Sequence, residues 1–343
     1  MLRVYTLEQG EQWDAIVRTF QEYDIYWLSG YAKAFQIHGD GEPILLFYDD
    51  DVTRGINVVM KRDIAKDIHF AGKIEEGHWF DCATPYGYGG WLIEGNHMED
   101  LFCSYHSWLE KNGIISEFVR FHPLVRNHEA CRVFYEIVRL GEVVHMDLSS
   151  PEVIKNNLTR ENRNRIRKAV KNNIVVHHGN YPDIYEKFRI IYNGTMKRDN
   201  AAPYYYFGQE FYKSVMDELA ENSQVFWAEK DGRVIAAFII TYANGRMNYF
   251  LSGSLAEFNS QAPGNLIMYT AALWGCENGC QTFLLGGGVG SNDDNLLRFK
   301  KTFYEGELNH YYVGKKIVDR EKYSYLLSLR KTSESSFFPQ YRA

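Results

Sequence analysis

The sequence predicts a mixed α/β (α+β) chain made of two similar units in tandem, each a mixed sheet flanked by helices. Three observations carry this expectation. Two β-hairpins stand in corresponding places, "PILLFYDDD" with "GINVVMKRD" in the first half and "QVFWAEKDGRVIAAFIITYANG" in the second. The acidic turn of one and Asp231-Gly232 of the other are hairpin-turn chemistry between β-rich runs. Each hairpin is then followed by a glycine- and tyrosine- or serine-rich loop, a helical stretch and an apolar strand. Finally, both helices end alike, with Trp108 before Asn112-Gly113 and Trp274 before Asn278-Gly279, an Asn-Gly C-cap at matched spacing. A shared order with shared punctuation reads as an internal duplication, and 343 residues suit two domains.

In chain order, the first unit (1–148) holds the first hairpin, the loop "TPYGYGGW", the helix ending at Asn112 and the strand "IISEFVRF". The join lies at Ser149-Ser150-Pro151, a helix start with serine at the N-cap and proline at the first helical position. The second unit (149–316) opens with a basic helix, "KNNLTRENRNRIRKAVKNN". It continues through the second hairpin, the strand "MNYFLSGS", a helix opened by Gln261-Ala262-Pro263-Gly264, the strand "CQTFLLGG" and a short helix in "SNDDNLLRFKKTF". The tail (317–343) is expected to form a helix over "DREKYSYLLSLRKTSESS" that packs back on the domains.

Composition narrows the function classes. The chain is 45% hydrophobic and 24% charged, with a net charge of −6, which disfavours a general nucleic-acid coat while allowing a local basic site. Five irregularly spaced cysteines and no secretory leader suggest reduced thiols and a cytoplasmic location. No apolar run approaches the ~20 residues of a membrane span. Cys276 and Cys280 have no nearby histidine to complete a zinc pattern, and no metal site is expected. The 25 tyrosines, many near glycines, suit either a polar groove or an aromatic core.

The basic helix carries seven Lys/Arg against the single Glu161, with Arg163, Arg167 and Lys171 at i, i+4 spacing and Leu158, Ile166, Ala169 and Val170 on the apolar side. Such a stripe is either a phosphate seat or a solvated face; the near absence of interleaved acids favours the first. The loops "TPYGYGGW" and "LLGGGVGSNDDN" let backbone approach a ligand closely, without the spacing of a Walker loop or a dinucleotide fingerprint. In "SNDDNLLRFKKTF", Ser291 or Asn292 caps a helix with Asp293 and Asp294 in its first turn. On a 100° wheel Lys300 falls on the apolar side with Leu296, Phe299 and Phe303, whereas Lys301 points away. An inward lysine beside a glycine loop either snorkels to water or stabilises a developing oxyanion or phosphate.

Gln261-Ala-Pro-Gly264 resembles the first half of the (Gln/Arg)-x-x-Gly-x-(Gly/Ala) loop of GNAT acyltransferases, with Leu266 where a small residue belongs. "MNYFLSGS", "KDGRVIAAFI", "LLGGG", "LLRFKKTF" and "RNRIRKAVKNNIVV", with "TPYGYGG" and "EFVRFHPL" in the first half, resemble the Fem-type (FemABX) peptidyltransferases. That resemblance implies two tandem GNAT-like (acyl-CoA N-acyltransferase-like) domains, with the active groove in or beside the second. The implied reaction moves an aminoacyl group from aminoacyl-tRNA to an amine of a nucleotide- or lipid-linked peptidoglycan precursor, with no bound cofactor. Lys300 would stabilise charge at the transferred ester, Arg167 or its neighbour Arg163 would grip the diphosphate, Tyr249 would line the groove, and Asp81 and Tyr86 would lie near the acceptor. Gln261 and Gly264 would form a phosphate loop if the donor were acyl-CoA and the acceptor an amino sugar. A tandem module that binds a diphosphate-linked ligand without turnover is the remaining alternative.

Overall fold

The computed structural model describes residues 1–330 and 337–343. They divide into two units, 1–140 with 311–343, and 141–310.

The first unit begins with β1 (Leu2–Tyr5), α1 (Gly10–Val17) and α2 (Ser29–His38), followed by the hairpin of β2 (Glu42–Asp49) and β3 (Arg54–Asp63). Asp51 adopts a left-handed φ of 68° at the hairpin turn. β4 (Phe80–Ala83) and β5 (Leu92–Glu94) pair with β3, then α3 (Met98–Lys111) leads into β6 (Ile114–Arg120), which runs parallel to β4. That parallel pair is closed again beyond its end: residues 84–91 loop back so that Gly89 bridges Phe121.

β7 (Glu136–Asp147) carries the chain across the boundary at residue 140. The second unit continues with α4 (Pro151–Asn157), α5 (Arg160–Lys171), β8 (Val175–Gly179), α6 (Pro182–Arg198), α7 (Gln209–Glu218) and the strands β9 (Ser223–Lys230), β10 (Arg233–Ala243) and β11 (Arg246–Ser254). Asp231 and Gly232, with φ of 51° and 74°, make the expected tight turn, and Asn244-Gly245 repeats it. α8 (Pro263–Glu277), β12 (Thr282–Gly286) and α9 (Asn295–Lys301) complete the unit. Its strands pair in the order β8-β9-β10-β11-β12, with β7 antiparallel on the far side of β12.

The last elements are β13 (Asn309–Ile317) and α10 (Arg320–Ser328). β13 pairs antiparallel with β6 from Val313 to Ile317, inside the first unit. The two halves are therefore two copies of one plan: a hairpin, a third antiparallel strand, a helix, and a strand parallel to the third. Each sheet is completed by a strand from the other end of the chain's crossing, β13 beside β6 and β7 beside β12. The side chains of Asn112 and Asn278 each cap their helix by donating to the carbonyl of Trp108 and Trp274 at 2.8 Å, and Gly113 and Gly279 follow with φ of 66° and 79°.

Packing in the second unit explains why α8 sits where it does. Leu266, Ile267, Met268, Ala271 and Ala272 are buried with Phe226, Met247, Phe283 and Leu285 of the sheet, each large side chain contributing about 1.5–3 kcal/mol. Gly275 lies so close to β11 that a Cβ there would stand 2.0 Å from the Met247 sulfur.

Several expectations change in detail. The boundaries fall at 140/141 and 310/311 rather than at 148/149 and 316/317, because β7 and β13 start in one unit and end in the other. The basic helix is two helices, broken at Leu158-Thr159, where the Thr159 hydroxyl caps α5 by accepting from the Asn162 amide. Val170 is 58% exposed rather than apolar core, and Asn162 is buried in its place. The tail helix spans only Arg320–Ser328, packed with Ile64, Phe70 and Ile115 of the first unit; residues 331–336 of the expected helix lie outside the described residues. Among the described residues no helix is long and apolar enough to cross a membrane.

Candidate active site

The second unit contains an opening between two parallel strands. β11 and β12 pair only from Arg246 to Asn248 against Thr282 to Leu284. Beyond that register β11 runs on to Ser254 with no partner on β12, and the edges diverge. A bulge intensifies the change of direction: Ile239 and Ile240 of β10 pair with Leu251 and Tyr249, leaving Phe250 as the extra residue. Tyr249 sits at this point, its ring against Phe238 at 5.2 Å and its hydroxyl donating to Ser252.

On the other side of the opening stands the glycine run. Gly286 has a φ of 78°, and a Cβ on Gly287 would meet the Glu142 carbonyl oxygen at 2.7 Å, so the run is glycine because the backbone turns and passes close to β7. Gly287 presents its carbonyl oxygen inward, where it accepts from Lys300 Nζ at 2.6 Å. Lys300 is 6% exposed, the only buried lysine or arginine among the described residues, and its Nζ lies 5.5 Å from the Tyr249 ring centre. Burial pushes its pKa from the ordinary 10.5 down to about 7, against the pull of Asp294. Lys301 faces the other way, in an ion pair with Glu142 at 2.8 Å.

α9 places this lysine, and its cap is Asp294 rather than Ser291 or Asn292. One Asp294 oxygen accepts from the Leu297 amide and the other from the Val289 amide, each at 2.8 Å, tying helix and glycine loop together. Burial works against its ionisation, but those two amides hold the carboxyl below its usual pKa. The far end of α9 is fixed by a polar strut: Asn265 of α8 donates to Asn162 of α5 at 2.9 Å, and Asn162 donates to the Thr302 carbonyl at 3.1 Å. Asn162 and Asn265 are both buried, so losing either would orphan its partners.

The other sequence candidates are placed as follows. Gly264 lies in the first turn of α8, where a Cβ would stand 3.2 Å from the Phe238 ring and 4.0 Å from that of Phe299; its smallness serves helix–strand packing. The Gln261 side-chain oxygen is taken by Lys230 Nζ at 2.7 Å. Arg163 is half-buried and donates to the Leu158 carbonyl, whereas Arg167 is exposed and donates to Asn164 at 3.0 Å. Asp81 and Tyr86 belong to the first unit. Tyr86 stacks on Phe35 and accepts from the Tyr31 hydroxyl through its carbonyl. Asp81 is fully buried, and its oxygens accept from Arg62 Nε at 2.6 Å, Arg342 Nε at 2.5 Å and the Tyr341 hydroxyl at 2.9 Å. Burial alone would raise its pKa; Arg62 and Arg342 override that and lower it. Committed to those three groups, Asp81 anchors the C-terminal turn and has no oxygen left for an acceptor substrate.

Asn162 and Ser252 escaped the sequence reading, and Asp294 entered it as a first-turn acid rather than as the cap. Its capping role was within reach, since Asp-x-x-Leu is N-cap spacing; the other two depend on partners distant in sequence or across a bulge.

Comparison with known proteins matches residues 156–301 to the acetyltransferase (GNAT) domain model. No curated protein sequence matches. Among solved structures, FemX is similar with a TM-score of 0.70 at 13% identity, over 96% of this chain and 100% of that one. L-PGS from Bacillus licheniformis is similar with a TM-score of 0.59 at 15% identity, over 95% and 97%. The C-terminal domain of a putative lysylphosphatidylglycerol synthetase from Agrobacterium fabrum gives 0.55 at 15%, over 90% and 91%. The chain therefore has the FemX-like fold of tandem GNAT units, and the matched domain is the one that holds Lys300.

Proposed function

We propose that the protein is an aminoacyltransferase that moves an aminoacyl group from the ester of an aminoacyl-tRNA to an amine of a peptidoglycan precursor. The observation that carries this reading is Lys300: a buried amine that donates to the Gly287 carbonyl at the mouth where β11 and β12 part. A buried cation is costly unless it meets negative charge, and here that charge arises during the reaction.

In the step, the acceptor ammonium first loses a proton to water or a base. Its nitrogen attacks the ester carbonyl, the C–N bond forms and the carbonyl oxygen becomes an oxyanion. Lys300 Nζ–H donates to that oxyanion. The intermediate collapses with cleavage of the C–O bond to the ribose, whose oxygen leaves and takes up the proton that the attacking nitrogen gives up. No protein nucleophile takes part. Tyr249 supports the ammonium with its ring, and its hydroxyl, tied to Ser252, keeps the ring from turning. Arg163 on α5 supplies charge for the diphosphate of the acceptor.

The match to an acetyltransferase model favours a second reading, transfer from acyl-CoA to an amino sugar. Against it stand Gln261, occupied by Lys230, and the large Leu266 in the first turn of α8.

The test is transfer to a UDP-linked muramyl pentapeptide with either a charged tRNA pool or acetyl-CoA as donor. We expect transfer from tRNA that RNase abolishes. Transfer from acetyl-CoA alone would replace this reading with the second, and transfer from neither would leave a binding module.

A further inference from the structure

The outer face of α5 holds cations that no ion pair neutralises among the described residues. Asn162, Ile166 and Ala169 point inward. At 100° per residue, Arg160, Asn164, Arg167 and Lys171 fall together on the opposite side, with Lys168 at their flank. All five are exposed. Among the described residues none of these four cations forms an ion pair. Elsewhere in the same unit several cations are paired: Lys187 with Asp183, Arg189 with Glu186, Lys213 with Asp217 and Arg233 with Glu257. On α5 itself the one acid, Glu161, is consumed by Arg165 at 2.8 Å.

This stripe has a direction. α5 spans about 18 Å, with Arg160 to Arg167 about 10 Å and Arg167 to Lys171 about 6 Å along its axis, at 1.5 Å per residue. Its N-terminal turn is joined to the end of α9: the Thr159 amide donates to the Thr302 carbonyl at 3.0 Å, and Asn162 donates to the same oxygen. Thr302 is two residues from Lys300. A polyanion laid along α5 is thus delivered, at its Arg160 end, beside the helix that carries the buried lysine.

We infer that the outer face of α5 is a docking track for the RNA backbone near the esterified 3′ end of the donor. The inference rests on the tRNA-dependent reading above and adds to it the surface that holds the RNA. Repeating cations at this spacing suit successive phosphates of a strand, and such contacts position without reading sequence. An anionic membrane would also attract the stripe. Membrane-surface helices, however, bury an apolar face beside the basic one, and Val170 is the only large apolar side chain that α5 exposes.

The test is binding of an RNA hairpin with a single-stranded 3′ tail of about four nucleotides, followed by fluorescence anisotropy across a salt series. The triple variant Arg160→Ala/Lys168→Ala/Lys171→Ala is compared with the wild-type protein. Loss of three phosphate contacts should weaken binding on the order of 10–100-fold at 0.15 M salt and flatten the log–log salt slope by about 2–3. A short 3′-aminoacyl dinucleotide donor, too small to reach along α5, should keep its rate in the triple variant, which also reports an intact fold. Equal RNA affinity in variant and wild type overturns the inference, as does wild-type binding to vesicles of anionic phospholipid with none to RNA. Because binding is read without chemistry, the two readings fail separately. RNA held through α5 with no transfer removes the transferase reading alone; RNA-dependent transfer with unaltered binding in the variant removes this surface alone.

Discussion

Methionine in place of Lys300 is expected to cut single-turnover transfer about 10²–10³-fold, the usual consequence of losing one oxyanion donor. The replacement is close in volume, and it removes a buried amine whose charged form the site already disfavours. The fold should therefore persist, with α9 held by Asp294 and by the Asn162–Thr302 contact. The loss should appear in the chemical step, because Lys300 meets charge that develops only after attack. Lys301→Met is the internal control: its ammonium faces Glu142 and it should retain its rate. Unchanged turnover in Lys300→Met would refute the role given to this residue.

Asp81→Ala is expected to cost about 3–5 kcal/mol of stability, the penalty for leaving buried charge without its partner. Arg342 and Arg62 are both partly buried, and the carboxylate also holds the Tyr341 hydroxyl. Asp67 accepts from Arg342 at 2.8 Å and would retain one end of that guanidinium, so the damage should centre on Asp81 and Arg62. Urea unfolding measures the loss, and faster proteolysis after residue 336 should accompany it. A cost under about 1 kcal/mol, or a loss of acceptor affinity with stability unchanged, would return Asp81 to the substrate.

The parts of the fold that local chemistry dictates were readable from the residues. Asp231-Gly232 specified a hairpin because both positions need positive φ, and Asn112-Gly113 and Asn278-Gly279 marked two helix ends that proved alike down to the same side-chain hydrogen bond. The orientation of Lys300 followed from helical periodicity, since Leu297 and Lys300 are the buried residues of α9. What periodicity could not supply was any feature whose partner is far along the chain. Asn162 looks like a solvent residue until it meets Asn265, 103 residues on, and the Thr302 carbonyl, 140 residues on. Asp81 looked available because Arg342, 261 residues away, was invisible from its neighbourhood. The boundaries moved for the same reason, as the two units divide within β7 and β13 rather than in a connecting loop. The glycine run was legible as a close approach, but what approaches is β7, and the group it offers is a carbonyl rather than a set of amides.

The central claim is that Lys300 Nζ meets the oxyanion of the reacting ester, and titration of its side-chain nitrogen by NMR in lysine-labelled protein tests it most directly. Burial penalises the ammonium, so in the free protein the midpoint should lie at about 7, well below the ordinary 10.5. A phosphonate mimic of the tetrahedral intermediate, carrying a 3′-adenosyl group, puts negative oxygen where the oxyanion forms. Opposite charge within reach favours the charged form, so the midpoint should rise by more than one unit, about 1.4 kcal/mol of interaction for each. A midpoint that stays near 7 with the mimic bound, or that lies near 10.5 in its absence, would contradict the account.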